Sequence, residues 1–550
     1  MDRIKTILFR KQSSIGSAAM VLAFMVFASR VLGLVRDRFL AARFAPDELG
    51  VYFAAFRIPN LLFELLVMGA LTSAFIPVFT RFIAEDKKEE AWRMAATLIN
   101  VSFIILVVLS LPILLWTDGV SRLLAPGFTD TQIHEMARFT RFMVIFQVVP
   151  LLVGNFFTGI LQSYQYFFIP ALAPVVYNIG IIIGIVLFSS SFGLFAPVIG
   201  VGIGALLFMG IQIPLVVRLG YRHRFMFDLR GRGVADVGKL MAPRTLGLAV
   251  SQIDTTVDLV LASILGARMV TIFNFAQHLQ QLPIGLFGAT VAQAALPALS
   301  LSHAKDDLTQ FKHTVVSSLH QIFFFVMPAS VLFIVLRVPI VRLVFGASRF
   351  DWEATVLTGM TLSAFSLSLS AQATAQVLAR AFYALYNSKI PVAIAVASIA
   401  VNTILSVVFI QFFHLAVWSL GLSASIASIV NAGLLLVLLD RRVGGFSRRE
   451  LLGPPCKMLI ASVITGIMLY IPLKILDQLV FDTTRTWGLI LLTGVSGTMG
   501  LVTYGFLTWV MGVGEVRSFL VMVWKVRKVR TMILEPAHEV INGGIQDKIS

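Results

Sequence analysis

The chain has 550 residues, 58% of them hydrophobic and 13% charged, with a mean hydropathy of +0.89 and a formal net charge of +16. This composition excludes a soluble globular protein, and because the positive charge falls in loops between apolar runs it points to anionic lipid and membrane topology in place of nucleic acid. The single cysteine, Cys456, excludes an internal disulfide and a cysteine metal cluster, and no metal site is expected.

Apolar runs long enough to cross a hydrocarbon core of about 30 Å recur along the whole sequence. They lack the two-residue alternation of barrel strands, so the fold class is an all-α polytopic membrane protein. Fourteen transmembrane helices are predicted, at 16–43, 51–80, 94–116, 136–161, 169–189, 197–217, 240–265, 270–300, 314–336, 354–385, 390–413, 417–439, 455–475 and 487–512. The first is read as a retained span, because "SRVLGLVRDRF" stands where a signal peptide would place a small-residue cleavage site. With these spans, 27 Lys and Arg fall on the side of the N-terminus and six on the other. The positive-inside rule then puts both termini in the cytoplasm.

Charge is concentrated in the first two spans. Span 1 holds Arg30, Arg36, Asp37 and Arg38, and span 2 holds Arg57 and Glu64. Ion pairs of Asp37 and Glu64 with arginines could pin the two spans together, but Arg30, Arg36, Arg38, Arg43 and Arg57 outnumber the two carboxylates. A surplus of intramembrane arginine implies an anionic ligand, and the guanidinium fork suits phosphate oxygens. Arg36 and Asp37 are adjacent and so point about 100° apart on a helix. Arg36 is therefore expected to face a cavity, with Asp37 restraining Arg30 until substrate displaces it.

Span 7 reads "LGLAVSQIDTTVDLVLASIL". Asp254 and Asp258, four apart, share a helix face, and Asn402 of span 11 and Gln252 are their candidate companions. A cation or proton site coupled to a gradient and plain hydrogen bonding between helices are both open readings; the coupling force would be a Na+ or H+ gradient or the membrane potential, with no other cofactor. In span 8, His278 lies among Gln277, Gln280 and Gln281, a polar face that would line a cavity.

Local patterns recur about 220 residues apart. "GALTSAFIPVF" from Gly69 matches "GATVAQAALPAL" from Gly288, Arg122 in "VSRLLA" matches Arg342 in "IVRLVF", and Pro170 matches Pro391, at offsets of 219, 220 and 221. Each unit contains six spans, so the copies have the same orientation, an arrangement in which a substrate path lies between lobes. The predicted organisation is an N-lobe at 1–220, a basic cytoplasmic inter-lobe loop at 221–239, a C-lobe at 240–442, a terminal helix pair at 443–512 and a basic cytoplasmic tail at 513–550.

Several of these stretches together resemble one family. "SRVLGLVRD", "AFRIPNLLFELLVMGALTSAFIPV", "APGF" at 125–128, "IPALAPVVYNIGII" and "QLPIGLFGATVAQAALPALS" are similar to the MurJ/MviN lipid II flippases of the multidrug/oligosaccharidyl-lipid/polysaccharide exporter superfamily. The resemblance implies two six-helix lobes plus a terminal pair, in the bacterial cytoplasmic membrane. It implies alternating access that carries undecaprenyl-pyrophosphate-linked peptidoglycan precursor from the inner to the outer leaflet. Arg30, Arg36 and Asp37 fall on the charged positions of the first-helix signature, and with Arg57 and His278 they form the expected substrate site. The sequence departs from the family pattern at Phe63, where an arginine is usual, and at Met68 and Gly50, where acidic residues are usual. It departs again at Gln277 and His278, where an acidic residue and an arginine are usual.

These departures keep a flippase for another polyprenyl-linked glycan open. A membrane enzyme acting on polyprenyl phosphates is less favoured, because the outer connections near 117–135 and 337–353 offer only His134 with Glu135 and Asp351 with Glu353. A cation antiporter of the same superfamily would suit Asp254 and Asp258, but arginines repel cations. No Walker A motif occurs. The expected partners are the lipid-linked substrate, membrane lipids and cell-wall synthesis enzymes, with the monomer as the working unit.

Overall fold

The computed structural model describes residues 15–68, 74–476 and 486–517. The 69–73 part of "GALTSAFIPVF", Arg485 and the basic stretches at 1–14 and 518–550 lie outside the described residues. Among the described residues there is no strand, as lipid requires when every backbone group must be satisfied within its own segment.

Among the described residues, eleven helices are long and apolar enough to cross a membrane, or twelve if Trp352–Ser366 and Leu369–Ala384, bent by 43°, count as one span. Two further long helices, Ile15–Arg43 and Arg232–Ile264, stand at the first and seventh expected positions and carry the charges noted above. In chain order, α1 is Ile15–Arg43, α2 Pro46–Leu66, α3 Lys88–Leu115, α4 Asp130–Ser163 and α5 Phe168–Phe192. Next come α6 Phe195–Arg218, α7 Arg232–Ile264, α8 Ala267–Ala304, α9 Leu308–Val335 and the bent pair α10. The series ends with α11 Lys389–Phe412, α12 Trp418–Arg442, α13 Arg448–Ile475 and α14 Trp487–Val510. The connection expected at 221–239 is shorter than predicted, because α7 already begins at Arg232.

Local structure repeats at the offset seen in the sequence. A π-turn at Glu64–Met68 closes α2 and runs past its end, and another at Ile284–Gly288 lies within α8, each adding a residue to the coil. Asp86 and Asp306 close corresponding turns with φ of 57° and 54°, and Gln165 and Tyr386 do so with 65° and 55°. Short helices Thr117–Leu124 and Arg337–Phe345 follow α3 and α9 in the same register.

Close helix approach uses small residues, because lipid provides no hydrophobic force between helices. On α5 and α6, a Cβ at Gly184 would fall 2.3 Å from the Cα of Gly200, so only two facing glycines permit this crossing. α1 packs on α5, and α2 packs on α8, the equivalent helix of the second repeat unit.

Candidate functional site

α2 and α8 meet at the end of the bundle that carries the 44–45 and 265–266 connections. Thr271 Oγ1 donates to the Pro46 carbonyl at 2.6 Å. A Cβ on Gly50 would lie 1.8 Å from the Ala267 carbonyl oxygen, so the crossing tolerates no side chain at this position. Arg268 ties the same end together, with Asp351 at 2.5 Å, Glu353 at 3.3 Å and Asp47 at 3.7 Å. The Arg268 hydrogen bond holds the Asp351 carboxyl below the usual aspartate range. Phe275 stacks on Phe345 at 4.1 Å and meets Phe53 edge-on at 5.5 Å, which makes this seal apolar as well as ionic.

Behind the seal lies a cavity of about 370 Å³ where α1, α2, α5, α7 and α8 converge. Arg36, Arg57, Glu64, Gln252, Asn274 and His278 supply its main polar wall, beside Tyr52 and Tyr177. Three of the five predicted substrate residues, Arg36, Arg57 and His278, therefore share one cavity.

Asp37 sits at the back of this wall, 1% exposed. Its Oδ1 accepts from Arg36 Nε at 3.0 Å and Nη2 at 2.8 Å, and its Oδ2 accepts from His278 Nδ1 at 2.7 Å. Arg36 Nη1 donates to Asn178 Oδ1 at 3.2 Å, and Asn178 in turn bonds Ser29 of α1. This corrects the expectation that Asp37 restrains Arg30. Arg30 Nη1 instead donates to the Gln281 carbonyl at 2.9 Å, and its guanidinium fills the space beside Gly285. The 100° between neighbouring side chains describes the Cβ directions, whereas the flexible arginine stem of Arg36 folds back to the carboxylate next to it. Arg30 thus lies against α8 outside the cavity wall, and Arg38 donates to the Leu343 carbonyl at 2.7 Å. The cationic surplus of the cavity is smaller than the span count of arginines.

Arg57 reaches α7. Its Nε donates to Thr256 Oγ1 at 2.8 Å, and Nη2 donates to the Gln252 carbonyl at 2.5 Å and to Gln252 Oε1 at 2.8 Å. The Gln252 amide then donates to Glu64. One side-chain amide therefore stands between the arginine and the glutamate. Among the described residues no carboxylate lies within 4 Å of the Arg57 guanidinium, which keeps its charge while its contacts are neutral oxygens. Asp37 and Glu64 accordingly do not pin α1 to α2; each joins the first repeat unit to the second.

Asp254 and Asp258 come together with Asn402. The Asn402 amide nitrogen donates to Asp254 Oδ1 at 3.0 Å and Asp258 Oδ1 at 3.2 Å. Ser406, one turn on, bonds Ser423 of α12 at 2.5 Å. Gln252, the other proposed companion, serves Arg57 instead. Sequence reading missed Asn178, Thr256 and Tyr177. The signal available for Asn178 was a lone amide in "VVYNIGIII", an apolar stretch where an unpartnered polar group is costly.

The model of the lipid II flippase MurJ family matches residues 19–488. The chain belongs to the MurJ lipid II flippase family. The probable lipid II flippase MurJ of Bdellovibrio bacteriovorus is 28% identical over 505 residues, covering 91% of this chain and 95% of that protein. That of Vibrio cholerae is 26% identical over 516 residues, covering 90% and 96%. Among solved structures, lipid II flippase MurJ in an inward closed conformation superposes with a TM-score of 0.74 at 24% identity, over 89% of this chain and 98% of that one. An inward-facing multidrug resistance transporter of the MATE family gives 0.64 at 16% identity, over 76% and 94%. As a member of a transporter family the chain is not an enzyme. Two departures from the MurJ pattern have a physical setting here: Gly50 is the tight α2–α8 crossing, and Phe63 packs against the apolar cluster of Leu151, Ala173 and Phe208. The Met68 side chain lies outside the described residues.

Proposed function

We propose that this chain carries lipid II from the inner to the outer leaflet of the bacterial cytoplasmic membrane, with both termini on the cytoplasmic side. The observation that carries the reading is the convergence of Arg36 and Arg57, from the first repeat unit, on a cavity closed by α7 and α8 of the second, in a chain of the MurJ family. Guanidinium forks at this site suit a pyrophosphate, whose polyprenyl tail would remain in the bilayer. Two six-helix lobes, 1–220 and 240–442, would rock about the site in alternating access. The contacts of Arg57, Asp37 and the α2–α8 crossing all join the two units, so each would break and re-form in the cycle. Asp254, Asp258 and Asn402 would couple that cycle to a Na+ or H+ gradient, since two carboxylates facing one amide favour a shared cation or proton. The test is to express the chain while depleting a host of its own lipid II flippase and to follow lipid II exposure at the outer surface. Restored exposure supports the reading; an inserted protein that restores only another polyprenyl-linked glycan overturns the substrate.

A further inference from the structure

The connection between α6 and α7 leaves an unusual surface. Residues 221–228 belong to no helix or strand and are fastened along α3. Tyr221 is buried against Trp92 and Phe157, with ring centroids 5.5 and 5.9 Å apart. The Asn100 amide donates to the carbonyls of Arg224 at 3.0 Å and Met226 at 3.1 Å, and the Thr97 hydroxyl lies 3.4 Å from the Asp228 amide. Thr97 and Asn100 are buried, so these bonds satisfy polar groups that an apolar helix could not leave open.

Phe225, Phe227 and Leu229 lie close together in the chain and are 88%, 54% and 60% exposed. Arg222, Arg224 and Arg230 are interleaved with them and exposed. Single exposed apolar residues are ordinary, but three so close together on a fastened segment form a surface that needs a cover. Depth identifies the cover. The apolar run of α3 begins near residue 94, so at 1.5 Å per residue the fastening points lie about 5 and 9 Å inside it. That is the boundary between headgroups and acyl chains, where aromatic side chains settle and arginines meet anionic headgroups.

We propose that residues 222–230 form a membrane-surface anchor, with Phe225, Phe227 and Leu229 inserted at the acyl boundary and Arg222, Arg224 and Arg230 on anionic phospholipid headgroups. The anchor would hold the hinge between the repeat units at a constant depth. It does not depend on what the cavity carries.

The test uses the full chain in a Cys456→Ser background, with nitroxide labels on Phe225→Cys, Phe227→Cys or Leu229→Cys and a water-exposed control on Thr309→Cys. Each variant is reconstituted in vesicles with phosphatidylglycerol and in vesicles of phosphatidylcholine alone. In phosphatidylglycerol vesicles the ratio of oxygen to nickel-chelate collisions at the three positions should exceed the control severalfold. Substituting Arg222, Arg224 and Arg230 together by Gln, or omitting phosphatidylglycerol, should bring the ratio towards the control. Labels as accessible to the nickel chelate as the control would place the segment in water and overturn the proposal. Labels shielded from both probes would place it under protein and overturn it equally.

Discussion

His278 on α8 donates a 2.7 Å hydrogen bond to Asp37 on α1, and the same carboxylate accepts two bonds from Arg36. Asp37 thus competes with any anion in the cavity for both hydrogen-bond donors. Asp37→Asn should raise affinity for a pyrophosphate lipid by roughly tenfold, the equivalent of about one charge-assisted hydrogen bond, and slow turnover. Arg36→Ala should erase the gain, whereas Arg30→Ala should leave it, since Arg30 bonds Gln281 and not Asp37. Binding and flipping in reconstituted vesicles measure both; weaker binding in Asp37→Asn would reduce the carboxylate to a structural role.

Arg57 holds α7 through a planar fork and three bonds. Lysine keeps the charge but loses that geometry, so Arg57→Lys should lower the flipping rate by about tenfold. Gln252→Leu should also impair transport, because nothing then separates Arg57 from Glu64 and the two can pair directly. Flipping assays on inserted protein decide this, and wild-type rates in both variants would remove Arg57 from the site.

Gly50 faces the Ala267 carbonyl too closely for any side chain. Gly50→Leu should bar the closed arrangement of α2 and α8 without preventing insertion, because each helix is unaffected by itself. Spin labels on Arg43→Cys and Arg349→Cys should report a longer separation, and flipping should fall to a small fraction of wild type. An unchanged distance would show that the crossing adjusts.

Asp254 and Asp258 share one donor on Asn402. Removing either carboxylate should change how transport responds to sodium, to a proton gradient or to membrane potential. Transport by Asp254→Asn and Asp258→Asn is to be measured against each gradient in turn; a dependence unchanged from wild type in both variants would make the cluster structural.

Arg268 on α8 lowers the pKa of Asp351 at the start of α10, a pair held within the second repeat unit. A carboxyl whose folded-state pKa is depressed stabilises the fold above its ordinary value near 3.9 and loses the contribution as pH falls through the lowered one. The α8–α10 junction should therefore be insensitive between about pH 5 and 8 and should weaken below about pH 4. The thermal unfolding midpoint of the purified protein should fall over that acid range, and Asp351→Asn should lower the midpoint at neutral pH with a flatter profile.

Much of this protein follows from local properties of the chain. Apolar run length placed the helices, because hydrocarbon thickness sets the length and lipid forbids unsatisfied backbone. Repeated short motifs such as "VSRLLA" and "IVRLVF" recur at the same spacing as paired turns that only the structure shows, at Asp86 and Asp306. Intramembrane charge picked out Arg36, Arg57 and His278, because its cost in lipid demands a partner or a cavity.

Which partner each charge finds was decided only by the tertiary structure. Asp37 and His278 are 241 positions apart, and Arg57 and Gln252 are 195 apart. Their meeting depends on the angle and register at which helices cross, which no local pattern encodes. The same holds for Arg30, whose place on the signature motif is charged yet whose guanidinium packs against α8 beside Gly285, and for Asn402, which brings two aspartates of α7 onto a donor from α11. Sequence names the groups that must be satisfied in lipid; helix packing chooses what satisfies them, because a side chain's reach is short beside the distances that the fold closes.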